Sequence, residues 1–208
     1  MANEWDNHEK IFFRKINTPD KIQNFLDTIE YDENAGTVSP RYVIKERKAN
    51  CFEGAILAAA ALEYYGHRPL IVDMIAENDD DHVIAVYKLY KHWGAIAKSN
   101  TTVLKYREPV YLSIRELVMS YFDFYMNTNG EKTLRQYSRP VDLIIFNKKQ
   151  WRTTSEDLEF ISDYLYSIKH HNILKNSMIK NLKKENQDSL LLKATLLGAK
   201  ENGLYKPK

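Results

Sequence analysis

The sequence predicts an α+β domain, and three observations carry that prediction. A helix opened by Asn50 and closed by Gly66 is apolar on nearly every side; β-rich runs follow it and include a tight hairpin; amphipathic stripes stand before and after this block. In chain order, Thr18-Pro19-Asp20 predicts a helix start, with Ile22, Phe25, Leu26 and Ile29 as its buried stripe. Residues 31–38 read as a loop, and Ser39-Pro40 starts a second short helix toward Lys48. Glu53, three positions after Asn50, completes a capping box, and Gly66 is suited to a left-handed cap. Strands are expected over 69–75, 82–89 and 93–98, a helix over 114–125, and a last strand over 141–146. From Ser155 onward the chain reads as helical, with Leu158, Ile161, Leu165 and Ile168 on one face. Residues 1–150 are thus expected to form a core with N-terminal helices, and 151–208 a helical extension packed on the same domain.

The composition narrows the function. The chain has 208 residues, a net charge of +2 and 44% hydrophobic residues, with only 7 Gly and 6 Pro, so it can fill a core and is neither collagen-like nor low-complexity. The longest apolar stretch, 56–62, is far short of the roughly 20 residues a bilayer crossing needs. The opening MANEWDNHEK lacks an apolar run, and a cytoplasmic location without membrane contact is expected. A single cysteine excludes an intrachain disulfide and a Cys-based metal cluster. Residues 169–208 hold nine Lys against three acids, or +6, leaving −4 on the rest. Spaced lysines read as a solvated helix face, and no aromatic-basic motif points to nucleic acid.

The chemistry centres on Cys51, the first residue of the apolar helix. A thiol must ionise to attack, and a helix N-terminus favours negative charge. The Cys51 amide, completed by the Asn50 side chain, could also receive an oxyanion. A lone cysteine is otherwise a small buried hydrophobe. His82 opens a strand expected to lie against this helix, which makes it the candidate base; the other histidines, His170 and His171 among them, read as exposed. A two-residue turn at Tyr90-Lys91 would put Ser99 opposite His82, and a three-residue loop would put Asn100 there. Asn100, the better acceptor, is the first choice to orient the imidazole, and Ser99 the second. Lys98, Arg107 and Glu108 could line the cleft. Asp79-Asp80-Asp81 lacks the rest of an EF-hand loop and reads as a solvated loop before the strand.

Taken together, Asn50-Cys51-Phe52-Glu53-Gly54-Ala55, Ala60-Ala61-Leu62, Gly66-His67-Arg68-Pro69-Leu70, Asp81-His82-Val83 and Trp93 resemble the transglutaminase-like superfamily over roughly residues 39–100. The resemblance implies a papain-like core, a central helix packed on an antiparallel sheet, with Cys51 as nucleophile and His82 as base. It also implies a cysteine-dependent hydrolase or acyl transferase that cleaves a peptide, protein or small amide or ester through a thioester, with no cofactor or metal. The family's usual acid a few residues after the Trp is absent here, where Trp93 leads to Lys98-Ser99-Asn100; Asp73 and Asp81 are outside candidates for the third partner, although Asp81, adjacent to His82, would point to the other face of a strand. The alternative is an inactive protein of the same fold that binds a partner or serves as a scaffold.

Overall fold

Asp6 caps helix α1 (Asn7–Lys15): its carboxylate accepts from the Glu9 amide while Glu9 accepts from the Asp6 amide. The computed structural model describes residues 4–34 and 36–208, so part of the opening decapeptide and Ala35 of the predicted 31–38 loop lie outside the described residues. Helix α2 (Pro19–Thr28) starts where Thr18-Pro19 predicts, but the Thr18 hydroxyl is buried without a hydrogen-bond partner among the described residues; the fixed φ of Pro19 sets the start. Strand β1 (Glu30–Tyr31) follows. The Ser39 hydroxyl is likewise unbonded before α3 (Pro40–Glu46), which ends at left-handed Arg47. Strand β2 (Lys48–Ala49) pairs in parallel with β1, which anchors the chain immediately before the next helix. In α4 (Cys51–Tyr64) both capping-box bonds form, every residue from Phe52 to Leu62 is buried, and Gly66 is left-handed at φ 85°.

Among the described residues, seven strands form one antiparallel sheet. They are β3 (Leu70–Ala76), β4 (His82–Leu89), β5 (His92–Ile96), β6 (Arg107–Tyr111), β7 (Leu134–Ser138), β8 (Val141–Asp142) and β9 (His170–Asn172). The order is β6-β5-β4-β3-β7-β9, with β8 beside the first residues of β3. Tyr90 and Lys91, at φ 51° and 66°, make a two-residue turn that sets Leu89 opposite His92 and Ala85 opposite Ile96. Alternation divides the sheet's faces. Ile71, Val83, Ala85, Tyr87 and Ile96 pack with α1 to α4; Val72, Met74, Ile84, Val86 and Ala95 pack with α5 (Ile114–Phe122).

Two expectations are corrected here. Only Val141 and Asp142 of the predicted 141–146 strand pair with β3; a 3-10 helix over Leu143–Lys149 follows, its Ile144 amide bonded to the Asp142 carboxylate. Beyond 150 the chain is not wholly helical: α6 (Glu159–Ser167) leads into edge strand β9, then α7 (Asn176–Ile179) and α8 (Leu190–Leu196). The sheet thus takes a strand from either side of position 150. Among the described residues no helix is long and apolar enough to cross a membrane.

Candidate active site

A cleft of about 660 Å³ wraps the start of β4 and is lined by Cys51, His82, the Asp79-Asp80-Asp81 loop, and residues from the 31–37 and 196–205 segments. Cys51 reaches it because α4 begins there. The amides of Phe52 and Val83 face the sulfur and favour the thiolate, and the thiol lies 3.9 Å from the Asp81 carbonyl oxygen. Burial outweighs these amides: it pushes the thiol up to about 11, with Asp80 and Asp73 adding to the effect. At neutral pH the sulfur is therefore protonated in this closed arrangement.

His82 lines the same cleft, but strand alternation turns its ring to the α5 face, whereas the sulfur meets the backbone of Asp81 and Val83. The expected contact between Cys51 and His82 is absent from the hydrogen bonds of the described residues. The ring lies edge-on to Tyr125 at 6.4 Å, and its Nε2 is 2.9 Å from the Leu104 carbonyl oxygen. A carbonyl only accepts, so Nε2 carries the proton and Nδ1 keeps the lone pair. Burial holds the imidazole down to about 4, so it is neutral at pH 7.

The orienting role assigned to Asn100 is corrected: a backbone carbonyl, that of Leu104, occupies that position. The two-residue turn puts the β4–β5 register in line with Ser99, not Asn100, and neither bonds the imidazole. Ser99 Oγ pairs with Thr101 Oγ1 at 3.0 Å. The Asn100 carboxamide instead clasps the backbone of Lys200, donating to its carbonyl and accepting from its amide, both at 2.9 Å. Asn50 lines the cleft as a cap; its Nδ2 donates to the Gly36 carbonyl at 2.9 Å, so it is engaged away from an oxyanion. Lys98 is buried under α4, where its ammonium donates to the Leu26 and Ile29 carbonyls that end α2. Burial lowers it to about 8. Arg107 stacks on Tyr121 and bonds Ser120; like Glu108 it does not line the cleft.

Sequence reading missed a buried Asp–His hydrogen-bonded pair beside the thiol. His170, expected to be exposed, is nearly buried and places Nε2 2.9 Å from Asp73 Oδ2, while its Nδ1 meets the Ile168 carbonyl. Asp73 lies opposite Val83 in the β3–β4 ladder, on the α4 face. Its burial pushes it up to about 6 against the pull of His170. Ninety-seven positions separate the two residues, and only the β7–β9 pairing, carried by a three-residue strand, joins them. Among the described residues, no three His, Cys, Asp or Glu side chains converge to hold a metal ion.

Asp79 gives a pH test. Burial pushes it up to about 6 while Thr133 Oγ1 donates to it at 2.6 Å. An acid with a raised pKa binds its proton more tightly in the folded state, so it costs stability as pH rises from about 4, its unfolded value, through about 6. Asp79→Asn keeps an acceptor for Thr133 and should raise the melting temperature by several degrees at pH 7.5 and by far less at pH 4. An equal gain at both pH values in thermal melts would refute the assignment.

No family model and no curated protein matches the chain. The site therefore rests on its geometry.

Proposed function

We propose that the chain is a cysteine-dependent hydrolase or acyl transferase of the transglutaminase-like type, with Cys51 as nucleophile and His82 as base. The observation that carries this reading is the shared cleft. A thiol at a helix N-terminus, faced by two amides, lines the same space as an imidazole whose Nε2–H is fixed by a carbonyl, which leaves the Nδ1 lone pair free to take a proton. In the reaction the sulfur bonds the substrate carbonyl carbon and its proton passes to His82 Nδ1. The leaving amine or alcohol departs with that proton, and water or an amine then cleaves the thioester. The closed cleft holds both groups neutral, so attack follows a rearrangement that brings Nδ1 to the sulfur.

A specific observation favours a second reading, a binding protein that does not turn over. The thiol is raised by burial, and a carbonyl stands where an acid would stabilise an imidazolium. An activated ester such as p-nitrophenyl acetate separates the two. Acyl transfer predicts a stoichiometric nitrophenolate burst and an acetylated Cys51 peptide by mass spectrometry. The burst is lost in Cys51→Ala, and His82→Ala slows it by about 10²-fold or more. Unacetylated Cys51 in wild type, or acetylation unaffected by His82→Ala, would favour the binding protein.

A further inference from the structure

The cleft is acidic and already holds a piece of its own chain. Asp32, Glu33, Asp73, Asp79, Asp80 and Asp81 line it; among the described residues no Lys or Arg side chain does, although Lys48 pairs with Asp32 from outside the lining at 3.2 Å. Residues 195–208 run across its mouth. Thr102 fixes one end, its amide donating to the Thr195 carbonyl and its hydroxyl to that of Leu197. Asn78 Oδ1 accepts from the Lys208 amide at the other end, 2.8 Å away. Between them lies the Asn100 clasp on Lys200, and the Lys200 ammonium pairs with Glu30 at 2.7 Å and reaches Glu33 at 3.9 Å. Beyond it, Asn202, Gly203, Leu204 and Tyr205 form part of the cleft wall.

Two features indicate what such a path accepts. A carboxamide that reads both the N–H and the C=O of one residue recognises a main chain, whatever its side chain. At Gly203 the backbone lies so close that an added Cβ would stand 3.0 Å from Asn100 Nδ2 and 3.2 Å from Tyr31 Cε1. The strip over the cleft thus takes a main chain at close range, here a single 3-10 turn over Glu201–Gly203, and its charge favours cations. The 195–208 segment, with Lys200, Lys206 and Lys208 against Glu201, has the matching sign.

We propose that the Cys51 cleft binds a lysine-rich or arginine-rich polypeptide segment through its main chain and its charge, and that residues 195–208 occupy this path in the closed chain, so the two compete. The proposal names the substrate class for the reading above, but the binding it describes does not depend on turnover. Exposed ion pairs such as Lys200–Glu30 contribute little, so the resident segment is held mainly by proximity and is displaceable.

The test uses the full chain in a Cys51→Ala background, so that binding is read apart from chemistry. Lys200→Glu with Gly203→Leu weakens the segment and leaves every cleft wall outside it intact. The probes are a fluorescent synthetic peptide of residues 195–208 and the same peptide with its lysines changed to glutamate. The lysine peptide should bind the substituted chain about tenfold or more tightly than the unsubstituted one, more weakly as salt is added, and much more weakly once Asn100→Ala is included. Equal affinity of the two chains, no binding to either, or equal affinity for both peptides would overturn the proposal. A peptide that binds as described to a chain whose Cys51 never acylates would leave the inference standing and remove the enzymatic reading.

Discussion

Gly54→Ala should destabilise the chain by about 3 kcal/mol or more, although the same change inside an exposed helix stabilises by about 1 kcal/mol. The sign reverses because α4 meets the backbone just beyond the end of β5 at this residue. An added Cβ would stand 2.3 Å from Lys98 Cβ, 3.3 Å from its Cγ and 3.5 Å from its Cα. Lys98 cannot withdraw: its ammonium is held by the two α2 carbonyls, and the neighbouring Ala97 is bonded through both its amide and its carbonyl to Gln23. The helix must move instead and carry Cys51 with it. Thermal melts and Cys51 alkylation rates should therefore change together, and a Gly54→Ala chain that melts within about a degree of wild type would refute this packing account.

Arg152→Leu should cost about 3–5 kcal/mol, read as a shift of the urea midpoint. The side chain is 1% exposed and donates through Nε and Nη2 to the two oxygens of Glu63, each at 2.6 Å. It also reaches Asn147 and Glu4 and lies over the Trp151 ring. Without the guanidinium, a carboxylate 8% exposed remains in the last turn of α4, where the helix dipole is also negative. Most of the loss comes from that stranded charge, so Arg152→Leu with Glu63→Leu should recover much of it. A double variant no more stable than Arg152→Leu alone would contradict this.

Where signals were local, the sequence was readable. The Asn50–Glu53 capping box, the apolar α4 and the left-handed Gly66 are consequences of residues a few positions apart, and each stands as expected. The Tyr90-Lys91 turn was harder, because neither residue type favours a positive φ, and the register argument hung on one residue of loop length. That single residue decides between Ser99 and Asn100. His82 shows the same sensitivity: reading a strand that packs on α4 is insufficient, since only its odd-numbered residues face the helix. Strands β6 and β7 carry little apolar alternation, and the three-residue β9 is His-His-Asn, so none announced itself. The Asp73–His170 pair and the Asn100 clasp depend on these long-range placements and were illegible for that reason.

The burial of α4 on every side has a kinetic meaning for the site. A helix surrounded by protein opens only when the whole domain does, whereas the loops and terminal segments of a fold open locally and far more often. The sulfur is thus tied to the slowest part of the chain, while the 195–208 segment beside it is a terminal one, of the kind that opens first. Admission of a ligand is then a matter of mobile rims settling against a stationary atom. The frequency of those rim excursions, not any motion of the thiol, would set the upper limit on how fast the cleft can fill.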